Sequence, residues 1–333
     1  MPKGTHKRYF ALALIIILFT LPLILSAIPN GPDRTPRSFV VKKGTRLEMI
    51  GRSLKEADFV RSKYLFLLAA LLVYKGKVVA GEYELSANMS ILDIARKMAS
   101  GERKMYTLRI VEGYNLFTIG DAVQRAGILD ASSFLRIAKN PELLKRLNIP
   151  SDSLEGYLTP DTYFYSREVD LDEFLEQIVA RTFKVFERED VRERMREMKM
   201  DPFQTISLAS IVEKEAKLEE EKKLISAVFH NRLRIGMSLD ADPTVIYGRG
   251  HFNGSITKID LATPTPYNTY HLKGLPKGPI CSPSRSSIMA ALYPAQNDAL
   301  YFVSRNDGSH VFSTTMEEHN RFVAKYQRSK GRK

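Results

Sequence analysis

The chain has 333 residues, 44% hydrophobic and 26% charged, which fits an ordinary folded protein of about two domains and excludes wholesale disorder. Its single cysteine, Cys281, excludes an intramolecular disulfide, a zinc ribbon and a CxxC redox pair. The net charge of +12 points to an anionic partner or surface, and with no zinc-finger or RNP motif that partner is not expected to be nucleic acid.

Lys3, Lys7 and Arg8 precede an uncharged apolar run at residues 9–28, YFALALIIILFTLPLILSAI. A run of about 20 such residues is long enough to cross a bilayer as a helix. The basic start predicts a cytoplasmic tail (1–8) and an anchor (9–28), with the body on the extracytoplasmic side of the inner membrane. A cleaved signal peptide is the alternative, but the run is long for one and Leu25 fits poorly three residues before a cut after Ala27. Residues 29–38 then read as a polar, proline-containing linker.

Val41, Gly44, Leu47, Ile50, Gly51, Leu54 and Ala57 recur as Ile110, Gly113, Leu116, Ile119, Gly120, Val123 and Ala126. The offset is constant (113 − 44 = 69), and each copy predicts a strand, a turn at the first glycine and a helix. Residues 64–74 (YLFLLAALLVY) are too short to span a bilayer and predict a buried or groove-lining helix. Ser90 and Gly101 bracket a further helix, so residues 39–103 read as one small α+β module.

An amphipathic helix is expected from Leu171, and Asp201-Pro202 opens another by the N-cap and first-turn proline rule. Residues 225–236 predict a helix ending at Gly236, and residues 299–304 a strand. Between them lies a long loop rich in Pro, Gly and Tyr. Residues 104–328 make a larger mixed α+β domain, with a basic tail at 329–333.

The usual catalytic signatures are absent: no HExxH, GxSxG, P-loop or GxGxxG, and no cluster with metal-ligand spacing. His230 and His271 read as structural, and neither metal nor cofactor is expected. Carboxylates remain. Glu213 and Glu215 in SLASIVEKEAK sit in an apolar run, where burial raises a carboxyl pKa as a general acid requires. At 100° per residue the two point about 200° apart. Glu215 falls near the apolar stripe and reads as a buried, hydrogen-bonded support. Glu213 falls on a flank of small residues open to a polymer. Asp161 and Asp242 are further acids: Asp161, among Thr159, Thr162, Tyr157 and Tyr163, suits sugar binding and an ordinary turn about equally, whereas a helix N-cap before Pro243 accounts for Asp242.

LEGYLTPDTYFY, ASIVEKE, VFHNRLRIGMSLDADPTVIYG, PYNTY, GLPKGPI and the closing HVFSTTMEEHN stand in the order of the endolytic murein transglycosylase (YceG-like) family, which the chain resembles over nearly its whole length. The resemblance implies a single transmembrane helix, a LysM-like module at 39–103 and a catalytic α+β domain. It also implies cleavage of nascent peptidoglycan strands between N-acetylmuramic acid and N-acetylglucosamine, leaving 1,6-anhydro ends and limiting strand length. Glu213 matches the family's catalytic glutamate. Glu215, Glu155, Asp161, Tyr163, Asn231, Asp242, Tyr247, Tyr267, Asn268 and Tyr270 lie in the matched motifs as supporting or substrate-binding candidates. Peptidoglycan synthases would be the protein partners. A non-catalytic wall-binding scaffold and a hydrolase pairing Glu213 with Asp161 or Asp242 are the alternatives. The chain departs from the family at Thr159, at Cys281 and at Ser284, where glycine is common.

Overall fold

The computed structural model describes residues 20–22, 24–167, 170–250 and 256–328. The expected anchor is corrected. Among the described residues no helix is long and apolar enough to cross a membrane, which overturns the expected single-pass placement in the inner membrane as well. Residues 1–19 and Leu23 of that segment, like the basic tail at 329–333, lie outside the described residues. The described remainder is helical at 20–22 and 24–27. Pro29 then bridges the backbone of Ser90 instead of continuing a helix. Residues 29–38 are also more than a linker: Gly31 N–H donates to the Ala87 carbonyl and Asn88 N–H to that of Asp33.

The described chain divides into two compact units, one of residues 1–107 and 164–170, the other of 108–163 and 171–333. In the first, strand β1 (Arg37–Val41) pairs antiparallel with β2 (Gly81–Leu85), placing Phe39 opposite Tyr83. Helices α1 (Leu47–Glu56), α2 (Lys63–Tyr74) and α3 (Ile91–Ser100) complete the unit. Their inward residues Leu54, Phe66, Ile94 and Met98 form its core with Tyr83. Ser90 and Asp93 close a capping box on α3, and Gly101 ends it in the left-handed region, as the serine and glycine predict. Helix α2 buries Phe66, Ala69 and Ala70 but leaves Leu71, Leu72 and Val73 exposed.

The repeat is structural. β3 (Tyr106–Ile110) and α4 (Leu116–Arg125) reproduce β1 and α1 with every boundary displaced by 69 residues (116 − 47). β3 pairs with β4 (Asp161–Tyr165) in a separate two-stranded sheet.

In the second unit, α5 (Ala131–Ile137) and α6 (Pro141–Arg146) follow α4, and α7 (Leu171–Phe186) and α8 (Glu189–Met198) lead to the central helix α9 (Pro202–Glu215). An Asp201–Gln204 capping box with Pro202 in its first turn starts α9. α9 is buried continuously from Thr205 to Val212, so it is not the one-sided amphipathic helix that a stripe-and-flank reading assumes. α10 (Lys222–Arg234), α11 (Asp242–Gly248), α12 (Lys258–Ala262) and α13 (Arg285–Leu292) follow. The antiparallel pair β5 (Tyr301–Ser304) and β6 (His310–Ser313) precedes α14 (Met316–Val323).

Gly156 lets the segment before β4 approach α9. Its φ is +83°, and an added Cβ would lie 2.5 Å from Pro279 Cβ and 2.8 Å from Ile206 Cγ2. Gly236, with φ +68°, has open space around the same position. Gly156→Ala is therefore expected to cost at least about 2 kcal/mol, backbone strain and overlap combined. Gly236→Ala should cost about 1–2 kcal/mol, from strain alone. Chemical denaturation of the two variants side by side checks the difference.

Candidate active site

Glu213 and Glu215 lie in the last turn of α9, where the helix dipole disfavours negative charge. Glu213 is compensated by another helix end. Ser284, the N-cap of α13, donates its backbone N–H to Glu213 Oε2 at 2.9 Å and its hydroxyl at 2.5 Å. Ser287 Oγ donates to the same oxygen at 2.6 Å, and Lys222 Nζ stands 3.6 Å away. The carboxylate of one helix's C-terminal turn thus occupies the N-terminus of the next, an anion site by geometry and by dipole. Among the described residues the other oxygen, Oε1, has no hydrogen-bond partner, and the Glu213 side chain keeps 11% of its surface exposed.

The loop that brings Ser284 to Glu213 is fixed from both sides. Ile280 N–H donates to Ser210 Oγ, and the buried Cys281 thiol to the Ser210 carbonyl. Ser282 exchanges backbone hydrogen bonds with the turn after β3: Gly113 N–H donates to its carbonyl, and its own N–H to that of Tyr114. Gly113, at φ +76°, comes so close to α9 that a Cβ there would stand 3.7 Å from Lys214 Cδ and 3.9 Å from Glu213 Cγ. Gly113 also lines a cleft of about 550 Å³, with Asn115, Phe117, Lys214, Tyr247 and Ile280. Lys214, between the two glutamates, lines this cleft, whereas neither glutamate lines it or a larger cavity of about 870 Å³ walled by Met198, Phe203, His230 and Leu275.

Glu215 differs from its expected role. It is half-buried with no hydrogen-bond partner among the described residues. Desolvation chiefly, and Asp242 next, push its carboxyl up to about 7 against the pull of Arg232. Asp242 is not an N-cap. Ala241 holds that position, and Asp242 is the exposed first residue of α11, accepting a 2.7 Å hydrogen bond from Tyr270 Oη. Asp161 pairs with Arg181 at the start of β4 and shares no partner with Glu213.

Several motif residues serve the scaffold. Tyr163 is buried, with its hydroxyl on the Thr159 carbonyl. Asn231 holds the carbonyls of Asn297 and Ala299. Asn268 gathers those of Asp260, Leu261 and Thr263 into one turn. Tyr247 and Tyr267 meet edge to face at 4.8 Å, and of the two Tyr247 reaches the cleft. His230 and His271 contact the carbonyls of Ala291 and Leu261, and no metal-binding cluster occurs among the described residues. Sequence reasoning missed Lys222 and Ser287 and weighed Ser284 only as a departure. The proline before Ser284 and the helical pattern after it were the available signal for a cap.

Glu155 is a second buried acid. Its Oε2 accepts the Leu116 N–H at the start of α4, while Oε1 is buried without a partner in hydrogen-bonding geometry. Burial raises its carboxyl to about 7, partly offset by that Leu116 bond and by the nearby Tyr247 hydroxyl.

The YceG-like family model matches residues 39–325. The chain is 31% identical over 322 residues to a Bacillus subtilis protein named endolytic murein transglycosylase, covering 90% of this chain and 88% of that one. It is 28% identical over 370 residues to a Streptococcus pneumoniae protein of the same name, covering 98% of this chain but only 66% of the relative. Among solved structures, a yceG-like protein from Listeria monocytogenes superposes with a TM-score of 0.60 at 32% identity, over 86% of this chain and 99% of that one.

Because folding raises the Glu155 carboxyl from 4.5 to about 7, its contribution is intact below about pH 4.5 and is lost as pH rises toward 7. The full loss is about 3 kcal/mol. Glu215 acts over the same window and in the same direction. Glu155→Gln keeps an acceptor for Leu116 and is expected to remove roughly half of the stability decline between pH 4.5 and 7. Denaturant midpoints measured across that range check it.

Proposed function

Because the chain belongs to the YceG-like family, we infer that it is an endolytic murein transglycosylase, an enzyme that cuts the glycan strands of peptidoglycan. We propose Glu213 as its general acid/base. The observation that carries this assignment is the asymmetry of the carboxylate: among the described residues three donors hold Oε2 and none holds Oε1, and the neighbouring residues Gly113 and Lys214 line the adjacent cleft. A positioned carboxyl with one oxygen free can give and take a proton at a fixed point.

The chemistry needs no second protein acid. Glu213 protonates the oxygen that leaves C1 of N-acetylmuramic acid, and the C1–O bond breaks with positive charge building on the ring. The carboxylate then takes the proton of the same sugar's C6 hydroxyl as that oxygen bonds to C1, closing a 1,6-anhydro ring and restoring the acid. The separate environments of Asp161 and Asp242 support this reading over a hydrolase with a paired carboxylate. Glu215, with its carboxyl raised to about 7, is the runner-up as acid. Phe117 and Tyr247 supply apolar and aromatic wall for sugar faces. The first unit engages glycan or the wall-synthesis machinery without doing chemistry, and a LysM-like role for its repeat belongs to that proposal.

Glu213→Gln is expected to abolish cleavage of purified sacculi with the thermal midpoint within a few degrees of wild type. Near wild-type cleavage by this variant would transfer the assignment to Glu215. Mass spectrometry of the wild-type products should show 1,6-anhydro ends, and a majority of free reducing muramic acid would mean hydrolysis instead.

A further inference from the structure

Lys222 is buried, yet its ammonium is in contact with four oxygens. Nζ lies 2.7 Å from Glu219 Oε2, 2.9 Å from Ser284 Oγ, 2.8 Å from Ser286 Oγ and 3.6 Å from Glu213 Oε2. An ammonium can only donate, so Ser284 Oγ must accept from it. Ser284 Oγ also accepts the Ser287 N–H at 3.2 Å as the N-cap of α13. With both its lone pairs engaged, the hydroxyl has one proton left to place, and the shortest contact it makes is to Glu213 Oε2 at 2.5 Å. The other hydroxyls within reach, Ser286 Oγ at 2.9 Å and Ser287 Oγ at 3.2 Å, are neutral and lie farther from Ser284 Oγ than the carboxylate oxygen does.

We propose that Lys222 is a positioning residue for the reaction: through Ser284 it orients a hydroxyl proton onto Glu213 Oε2, which leaves Oε1 as the oxygen that exchanges a proton with the glycan. The inference rests on Glu213 being the general acid/base.

Lys222 is itself held from behind. Glu221, its neighbour in the chain, receives His310 N–H on Oε1 at 2.8 Å and pairs with His310 Nδ1 through Oε2 at 2.6 Å, both side chains being buried. This contact ties the start of α10 to β6 and sets where the Lys222 side chain begins. Glu219 supplies the counter-charge, so the ammonium is not an unpaired buried cation. Ser284 offers Glu213 both its backbone N–H and its hydroxyl, and of the two the hydroxyl is in contact with Lys222.

The test is a double-mutant cycle in the full chain with soluble glycan strands as substrate. Lys222→Met keeps the length and apolar stem of the side chain but cannot donate. It is expected to lower kcat roughly 10- to 100-fold with KM within twofold. Lys222→Arg should recover a substantial part of that loss. Ser284→Gly keeps the backbone N–H to Glu213 and should itself lower kcat. In that background Lys222→Met should have less than a threefold further effect, because its route to Glu213 is already gone. Fully additive losses, or a Lys222→Met effect confined to KM or to the thermal midpoint, overturn the proposal. If Lys222→Met fails to fold, Lys222→Arg and Ser284→Gly alone decide it: kcat unchanged in Ser284→Gly overturns it. Failure of the Glu213 assignment is seen separately, as residual cleavage by Glu213→Gln.

Discussion

One carboxylate, Glu213, joins the C-terminal turn of α9 to the N-terminus of α13. A negative side chain in the last turn of a helix is normally unfavourable, and a helix N-terminus normally lacks acceptors for its first N–H groups. Each end satisfies the other. Everything nearby serves to keep the two ends in register: Ser210 binds the loop at Ile280 and Cys281, the Gly113 turn clamps Ser282 from the opposite side, and Lys222 bridges the serines from α10.

This arrangement explains why so many polar residues are buried around α9. Thr205, Ser207 and Ser210 have almost no exposed surface, and their hydroxyls bond backbone carbonyls one turn earlier. Small side chains let the 280–284 loop pack against the helix, which larger apolar residues would hold off. Cys281 fits the same space, and its buried thiol is pushed well above its ordinary range, so it acts as a small packing group and not as a nucleophile. The two raised carboxyls, Glu155 and Glu215, mark where the scaffold tolerates acids whose desolvation outweighs the donors that reach them. Both favour the neutral state in the fold, and neither has the donor set of Glu213.

Local elements were readable because their causes are local. The cap at Ser90, the stop at Gly101, the Asp201-Pro202 start and the 69-residue repeat all rest on neighbours within a turn or on a period of apolar positions. The apolar run at 9–28 shows the limit of composition alone. It has the length for a span, but among the described residues no helix is long and apolar enough to cross a membrane, and just after the run Pro29 and Gly31 make backbone contacts with Ser90 and Ala87.

The order of motifs, with IVEKE at its centre, identified the family and singled out Glu213 from sequence alone, because those residues are contiguous in the chain. What surrounds the carboxylate was not legible. Ser284 is 71 residues away and Ser287 74, and no periodicity links them to α9. The helical wheel placed Glu215 against the core as a hydrogen-bonded support, yet α9 is buried on all sides through Val212 and both glutamates lie beyond that stretch. Their environments are set by which neighbour reaches the helix end: α13 with Lys222 for one, Asp242 and Arg232 for the other. Sequence by itself determined the family and the locally caused elements, and it made Glu213 the candidate acid. Only the tertiary structure decided which oxygen of that acid is held and which is free, since hydrogen-bond donors far apart in the chain converge on it only after the helices have packed.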